Sequence, residues 1–292
     1  MREAMGYLSE MFSYPFMVRA FITGTMIALC ASLLGAILVL KRYSMIGDGL
    51  SHVGFGALAV AKVLSLPPLA VCIPVVGISS VFLLRIKNSS RIKGDAATAL
   101  ISTGAIAMGV MMISISTGMN TDVCNYLFGS ILSMTHADVW ISSAVTVIVV
   151  VCFILFYRRI FSVTFDPSFA RATGTNVELY NTMIAFLTSL VIVIGMRMIG
   201  ALLISSLIVI PSLSAMRTAV NFFQVIIRSL IISVLCVWIG LFVSYAFAFP
   251  TGASIVTCDI AVFIVMSIWA KLKVKLLKPA ERKTDVKSVN AA

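Results

Sequence analysis

Asp48 and His52 stand four residues apart within the otherwise apolar stretch Met45–Lys62, and His52 is one of only 2 histidines in the chain. A spacing of four stacks both side chains on one face of a helix. A carboxylate oxygen and an imidazole nitrogen together suit borderline divalent metals such as zinc, manganese or iron. The plainer reading is a packing pair, with His52 donating to Asp48 or to a backbone carbonyl. An ionised aspartate at membrane depth costs about 2.5–3.5 kcal/mol unless it is paired, hydrated or bound to a cation. Intramembrane pairs of this kind therefore point first to transport. Two ligands do not complete a metal site. A homodimer placing two such pairs around one axis would supply four.

The elements that must hold this pair are membrane helices. Hydrophobic residues make up 60% of the 292-residue chain and charged residues 11%, with a mean hydropathy of +1.09. Those values exclude an ordinary soluble domain. Uncharged runs recur at Ala20–Leu40, Val63–Leu84, Ala96–Thr121, Val139–Tyr157, Leu179–Met196, Met198–Met216 and Ser229–Cys258. About 20 apolar residues cross the hydrocarbon as helix. The last run is too long for one span, and Pro250 and Gly252 mark a turn within it. With the Asp48 segment added, the expectation is an all-α, single-domain membrane protein of eight or nine helices, spanning within about 16–272. The first apolar run is long enough to remain as a span, and Glu3 and Glu10 precede it, so no cleavable signal peptide is expected.

The net charge of +11 (22 Lys and Arg against 11 Asp and Glu) could suggest a nucleic-acid partner. Its distribution argues against one. Basic residues cluster at Lys41 and Arg42, at Arg85 to Lys93, at Arg158, Arg159 and Arg171, at Arg217, and in the tail 273–292. These clusters fall at alternate span ends, the positive-inside pattern for nine helices with the C-terminus in the cytoplasm. Arg197 and Lys62 then lie at outer ends. If the second helix runs outward from Arg42, Asp48 lies roughly 9 Å and His52 roughly 15 Å along it, the latter near the bilayer midplane. Gly47, Gly49, Gly54 and Gly56 give that helix a small-residue surface for close approach. Six cysteines stand singly with no CxxC pair, which suggests neither a disulfide framework nor a thiolate site.

Four stretches carry a resemblance: "LVLKRYSMIGDGLSH", "DVCNYLFGSIL", "FSVTFDPSFARATG" and "MIGALLISSLIVIPSLSA". In order and at this spacing they are similar to the membrane permeases of the metal-chelate (zinc, manganese, iron) ABC importer family, from about Tyr14 to Lys271. The resemblance implies a vitamin-B12-importer-like permease homodimer with its path on the two-fold axis. It also implies a cytoplasmic ABC ATPase dimer that holds the ATP, and an extracytoplasmic solute-binding protein that delivers the metal. The resemblance further implies a location in the bacterial cell membrane. Asp48 and His52 match the family's metal-contacting pair. Phe165, Asp166, Pro167, Ala170, Arg171 and Gly174 match its ATPase-coupling loop, about 160–176. The residues themselves agree on a short helix there, with Asp166 as cap, Pro167 in the first turn and Gly174 at the end.

Pro211 removes a backbone hydrogen bond and is expected to kink its helix. Ser205, Ser206, Ser212 and Ser214 either pack or line a polar path; Ser205, Ser206 and Pro211 are the path or gate candidates. Asp259 lies less than two turns from Gly252 and could reach the outer interface. Asp122, His136 and Asp138 could meet metal at the outer mouth. There is no G-x-x-x-x-G-K-[ST] motif, so energy must come from another chain or an ion gradient. The competing classes are a proton-coupled secondary cation transporter using Asp48, His52 and Asp259, and an intramembrane aspartyl protease using Asp48 and Asp259. As cargo, intrinsic affinity favours zinc, with manganese next. No permanently bound cofactor is expected.

Overall fold

The computed structural model describes residues 11–89, 94–116, 127–129 and 135–289. The main helices, in chain order, are α1 (Pro15–Leu40), α2 (Ser44–Val63), α3 (Pro68–Ser89), α4 (Gly94–Ser116), α5 (His136–Phe165), α6 (Pro167–Ala172), α7 (Val177–Ile199), α8 (Ala201–Met216), α9 (Phe222–Phe247) and α10 (Thr251–Val289). The membrane-embedded ones are α-helical because lipid offers no partner for a free backbone group. Asn176 and Asn221 cap α7 and α9, accepting from the amides of Leu179 and Gln224 at 3.1 and 2.9 Å.

Among the described residues, seven helices are long and apolar enough to cross a bilayer. The expectation of eight or nine is corrected to seven on that measure, while the all-α class stands. The two that fall short are α2 and α8. The first is diluted by four glycines, two serines, Asp48 and His52. The second is only 16 residues, about 24 Å. Both are nevertheless packed within the bundle, α2 chiefly on α4 and α3, and α8 on α1, α9 and α10. Polar residues that depress their hydropathy are sheltered by neighbouring helices.

The apolar windows of α1 and α7 are each 72% buried, those of α5 and α10 only 17%. The first pair is therefore the centre of the bundle and the second its outer surface. On α5 and α10, Trp140, Leu155, Ile264 and Trp269 point outward. Helices meet closely where a side chain is missing. A Cβ built on Gly35 of α1 would sit 1.9 Å from the Ile208 carbonyl oxygen of α8, so those backbones touch.

The α2 glycines do the same work inside the chain. A Cβ on Gly56 would lie 2.8 Å from the Ala105 carbonyl oxygen of α4, and one on Gly49 2.6 Å from the Thr98 methyl. Gly54 faces Met196 of α7. The small-residue surface read from the sequence thus receives α4 and α7. Of the four α2 glycines, only at Gly47 would a new Cβ meet nothing within 4 Å.

Helix α2 begins at Ser44 rather than Arg42, since Arg42 takes a left-handed turn at φ 59°. The turn brings Lys41 against Asn181 of α7, whose side-chain oxygen accepts from the ammonium. Burial pushes that ammonium down to about 8.

Candidate functional site

The carboxylate of Asp48 lies between two polar partners. His52 Nε2 is 3.6 Å from Oδ2, one turn up the same helix. From α8, the Ser205 hydroxyl donates to Oδ1 at 3.1 Å. The Asp48 side chain remains 43% accessible while that of His52 is 10%, so the carboxylate faces an opening and the imidazole stands behind it. His52 Nδ1 is buried with no hydrogen-bond partner. The Ser51 hydroxyl donates to the Asp48 carbonyl at 2.7 Å, along the helix and away from the carboxylate.

This arrangement can bind a cation but does not enclose one. Among the described residues no group of three or more His, Cys, Asp or Glu could hold a metal. One chain offers a carboxylate, an imidazole and a hydroxyl, which is an open, incomplete ligand set. That suits passage better than permanent residence, because a closed four-ligand site is the structural kind.

At the opposite end of the sequence pattern, α5 and α6 meet at Asp166. Its Oδ1 accepts from the Phe169 amide at 2.9 Å, and Pro167 occupies the first turn. The helix stops through a paired terminal motif, Thr175 N–H to the Ala170 carbonyl at 2.9 Å and Gly174 N–H to the Arg171 carbonyl at 3.0 Å. Gly174 supplies the required positive φ of 80°. Ala170 is fully buried against Val163, Val177 and Tyr180. Arg159 braces that cluster by donating to the Tyr180 hydroxyl at 2.6 Å. The outward face carries Phe165, Phe169 and Arg171. Phe165 is half-exposed and rests edge-on against Phe222 of α9, with ring centroids 5.6 Å apart. Phe169, 61% exposed, projects freely and was not singled out from the sequence. Its signal was present in the alternation of one small and one large apolar residue, Phe169 and Ala170, on so short a helix.

Residues 13–270 match the family described as the ABC 3 transport family. The chain belongs to that family. Among its relatives, a manganese import system permease protein of Streptococcus gordonii is 29% identical over 89% of this chain and 93% of its own length. A probable iron transport system membrane protein of Haemophilus influenzae is 30% identical over 92% and 99%. A high-affinity zinc uptake system membrane protein from the same organism matches at 26% over 84% and 94%. Among solved structures, PsaBC from Streptococcus pneumoniae in complex with a Fab superimposes with a TM-score of 0.82, 26% identity, and coverage of 92% of this chain and 99% of that one. This ABC 3 chain is a multi-pass permease of the cell membrane.

Other polar residues of this permease have different roles. Asp138 is committed to structure: Thr135 and Asp138 form a reciprocal cap on α5, and Arg197 of α7 pairs with the same carboxylate. That removes Asp138 as a free metal ligand at the outer mouth. His136 is exposed at the start of α5, and Asp122 and Cys124 lie outside the described residues. Ser212 and Ser214 pack, the former against the Ser229 hydroxyl at 3.0 Å and the latter on the Ile210 carbonyl at 2.9 Å. Ser206 is half-buried on α8. The helix continues past Pro211 to Met216.

Asp259 does not reach an interface. It is fully buried, neither oxygen accepts a well-formed hydrogen bond, and its polar neighbour is the Cys236 thiol of α9. Asp48 has His52 and Ser205 as its partners instead. The two carboxylates are thus not neighbours, which removes the proton-sharing pair that an aspartyl protease requires.

Gly200, between α7 and α8, has φ 99°. A Cβ there would meet the Leu127 carbonyl oxygen at 2.2 Å. The segment 127–129, part of the YLFG stretch, is therefore laid directly on the α7–α8 corner.

Proposed function

We propose that this chain is the permease subunit of an ATP-driven importer that carries a divalent transition metal into the cell, with Asp48 and His52 as the ligands met in transit. The observation that supports this most is the accessible Asp48 carboxylate, held between His52 and Ser205 within the bundle. A carboxylate so placed, partly open and with an imidazole beside it, offers a passing cation an oxygen and a nitrogen donor. The names of the relatives, which specify manganese, iron and zinc import, agree with it.

Two copies of the chain bring two such sets to a common axis and so complete a coordination sphere. ATP is bound and hydrolysed by two cytoplasmic ATPase subunits, which dock on α6 and its flanks, residues Phe165, Asp166, Pro167, Ala170, Arg171 and Gly174. An extracytoplasmic binding protein presents the metal at the outer face. Ser205, with Ser206 and Pro211 on the same helix, forms the wall of the path that moves against Asp48.

Zinc is the cargo favoured by intrinsic affinity for nitrogen and oxygen ligands. A specific observation favours manganese as the second reading: the third donor on each chain is a hydroxyl oxygen, and oxygen-rich sets suit manganese. Uptake of radioactive zinc and manganese by a deletion strain complemented with this chain decides between them. Accumulation of neither metal, nor of iron, in a strain producing the complete transporter would reject the metal reading.

A further inference from the structure

We propose that the cleft between the α8–α9 turn and the inner end of α10 binds the phosphate headgroup of an anionic phospholipid. The cleft encloses about 500 Å³ and is lined by Arg217, Thr218, Arg228, Met266, Trp269 and Lys273. Three cations and a hydroxyl thus converge on one opening. Among the described residues no carboxylate pairs with any of the three cations.

The cleft lies at the end of the bundle that carries α6. Phe222, the first residue of α9, touches Phe165 at the end of α5, and α10 descends to the same level. Basic residues at that end meet the anionic cytoplasmic leaflet. Arg228 is more telling than its neighbours. It stands six residues inside an apolar helix, roughly 9 Å from its start, and is half-buried there. Such a cation needs an anion at that depth. Arg217 is held in place by stacking over the Phe263 ring, 5.4 Å from its centroid, which leaves a planar fork suited to phosphate.

An amphipathic ligand fits better than a soluble anion because the walls continue as hydrocarbon-facing surface. Phe223, Ile227 and Ile231 on α9 and Ile264 and Ile268 on α10 are all exposed. Trp269, 63% exposed at the rim, has the character of an interfacial anchor. The headgroup sits among Arg217, Arg228 and Lys273 while the acyl chains run up the groove between α9 and α10. This cleft is formed by residues other than Asp48, His52 and Ser205, so it stands whether or not the metal path is right.

The test uses the full chain assembled with its ATPase and released from nanodiscs holding equal phosphatidylglycerol and phosphatidylcholine, with retained lipids counted by native mass spectrometry. Phosphatidylglycerol should be retained preferentially. Each basic residue near the surface contributes about fivefold in affinity, so the double variant Arg217→Gln, Arg228→Gln should lower that retention by about 25-fold. Arg158→Gln, exposed at the same end of α5, should leave it unchanged. A second measurement keeps the near-native fold: in a Trp140→Phe, Trp238→Phe background, brominated phosphatidylglycerol should quench Trp269 more than brominated phosphatidylcholine. Equal retention or equal quenching by the two lipids overturns the proposal. Displacement of the lipid by millimolar inorganic phosphate assigns the site to a soluble anion instead. Loss of the ATPase from the double variant with lipid retention intact assigns the arginines to a protein contact.

Discussion

The Ser205 hydroxyl of α8 donates to the Asp48 carboxylate of α2 at 3.1 Å, joining residues 157 positions apart. If metal displaces or shares that hydrogen bond, the serine sets the orientation of the ligand. Outer partners of this kind alter metal affinity about 10–100-fold when removed. Ser205→Ala should therefore raise the metal concentration needed for half-maximal uptake by that order, and Ser205→Thr, which keeps the hydroxyl, should restore most of it. An unchanged concentration dependence in Ser205→Ala would confine the serine to packing.

Asp48→Asn keeps size and removes charge, while His52→Ala removes the nitrogen donor. Either should abolish metal uptake in whole cells with normal amounts of permease and ATPase in the membrane. Near-normal uptake from both variants would eliminate the site.

The outward face of α6 makes a separate prediction. An aromatic anchor at the centre of an interface is worth about 2 kcal/mol, roughly 30-fold in affinity. Phe169→Asp should weaken co-purification of the ATPase by that order, and Phe165→Asp should do so too while also losing its contact with Phe222. Gly174→Val meets no atoms but forces a branched residue to φ 80°, and should loosen the helix end at about 1–2 kcal/mol. Full ATPase binding by Phe169→Asp and Phe165→Asp would place the contact elsewhere.

The two ends of the α2 glycine series should behave oppositely. Gly56→Leu drives a side chain into the Ala105 backbone and should cost about 1–3 kcal/mol or more in thermal stability. Gly47→Ala enters open space and should gain up to about 1 kcal/mol of helix propensity. Equal effects would mean that α2 and α4 are not in close contact.

The same geometry decides which position of α2 can crosslink two copies of the chain. Ser51 and Val53 are buried within the chain. Met45, 47% exposed near the start of α2, is the accessible position. In a cysteine-free background Met45→Cys should crosslink two copies, with bound metal slowing the reaction, and Ser51→Cys should not. Crosslinking only through Ser51 would reverse the assigned face.

Much of this molecule was legible in its sequence because the bilayer imposes simple rules. Lack of water forces helices, their length follows from the thickness of the hydrocarbon, and an acid beside a histidine is conspicuous in such a background. The α6 helix was equally readable, since Asp166, Pro167 and Gly174 act through local backbone geometry that needs no distant partner. Helix count was less so, because hydropathy measures exposure to lipid and α2 and α8 are sheltered by other helices. What only the tertiary structure decided were the pairings between distant segments. Asp48 meets Ser205, Asp138 meets Arg197, Asp259 is sealed beside Cys236, and the α2 glycines receive α4 and α7. The sequence determines which residues lie on each helix face, but helix rotation and neighbour choice arise from packing summed over the whole bundle.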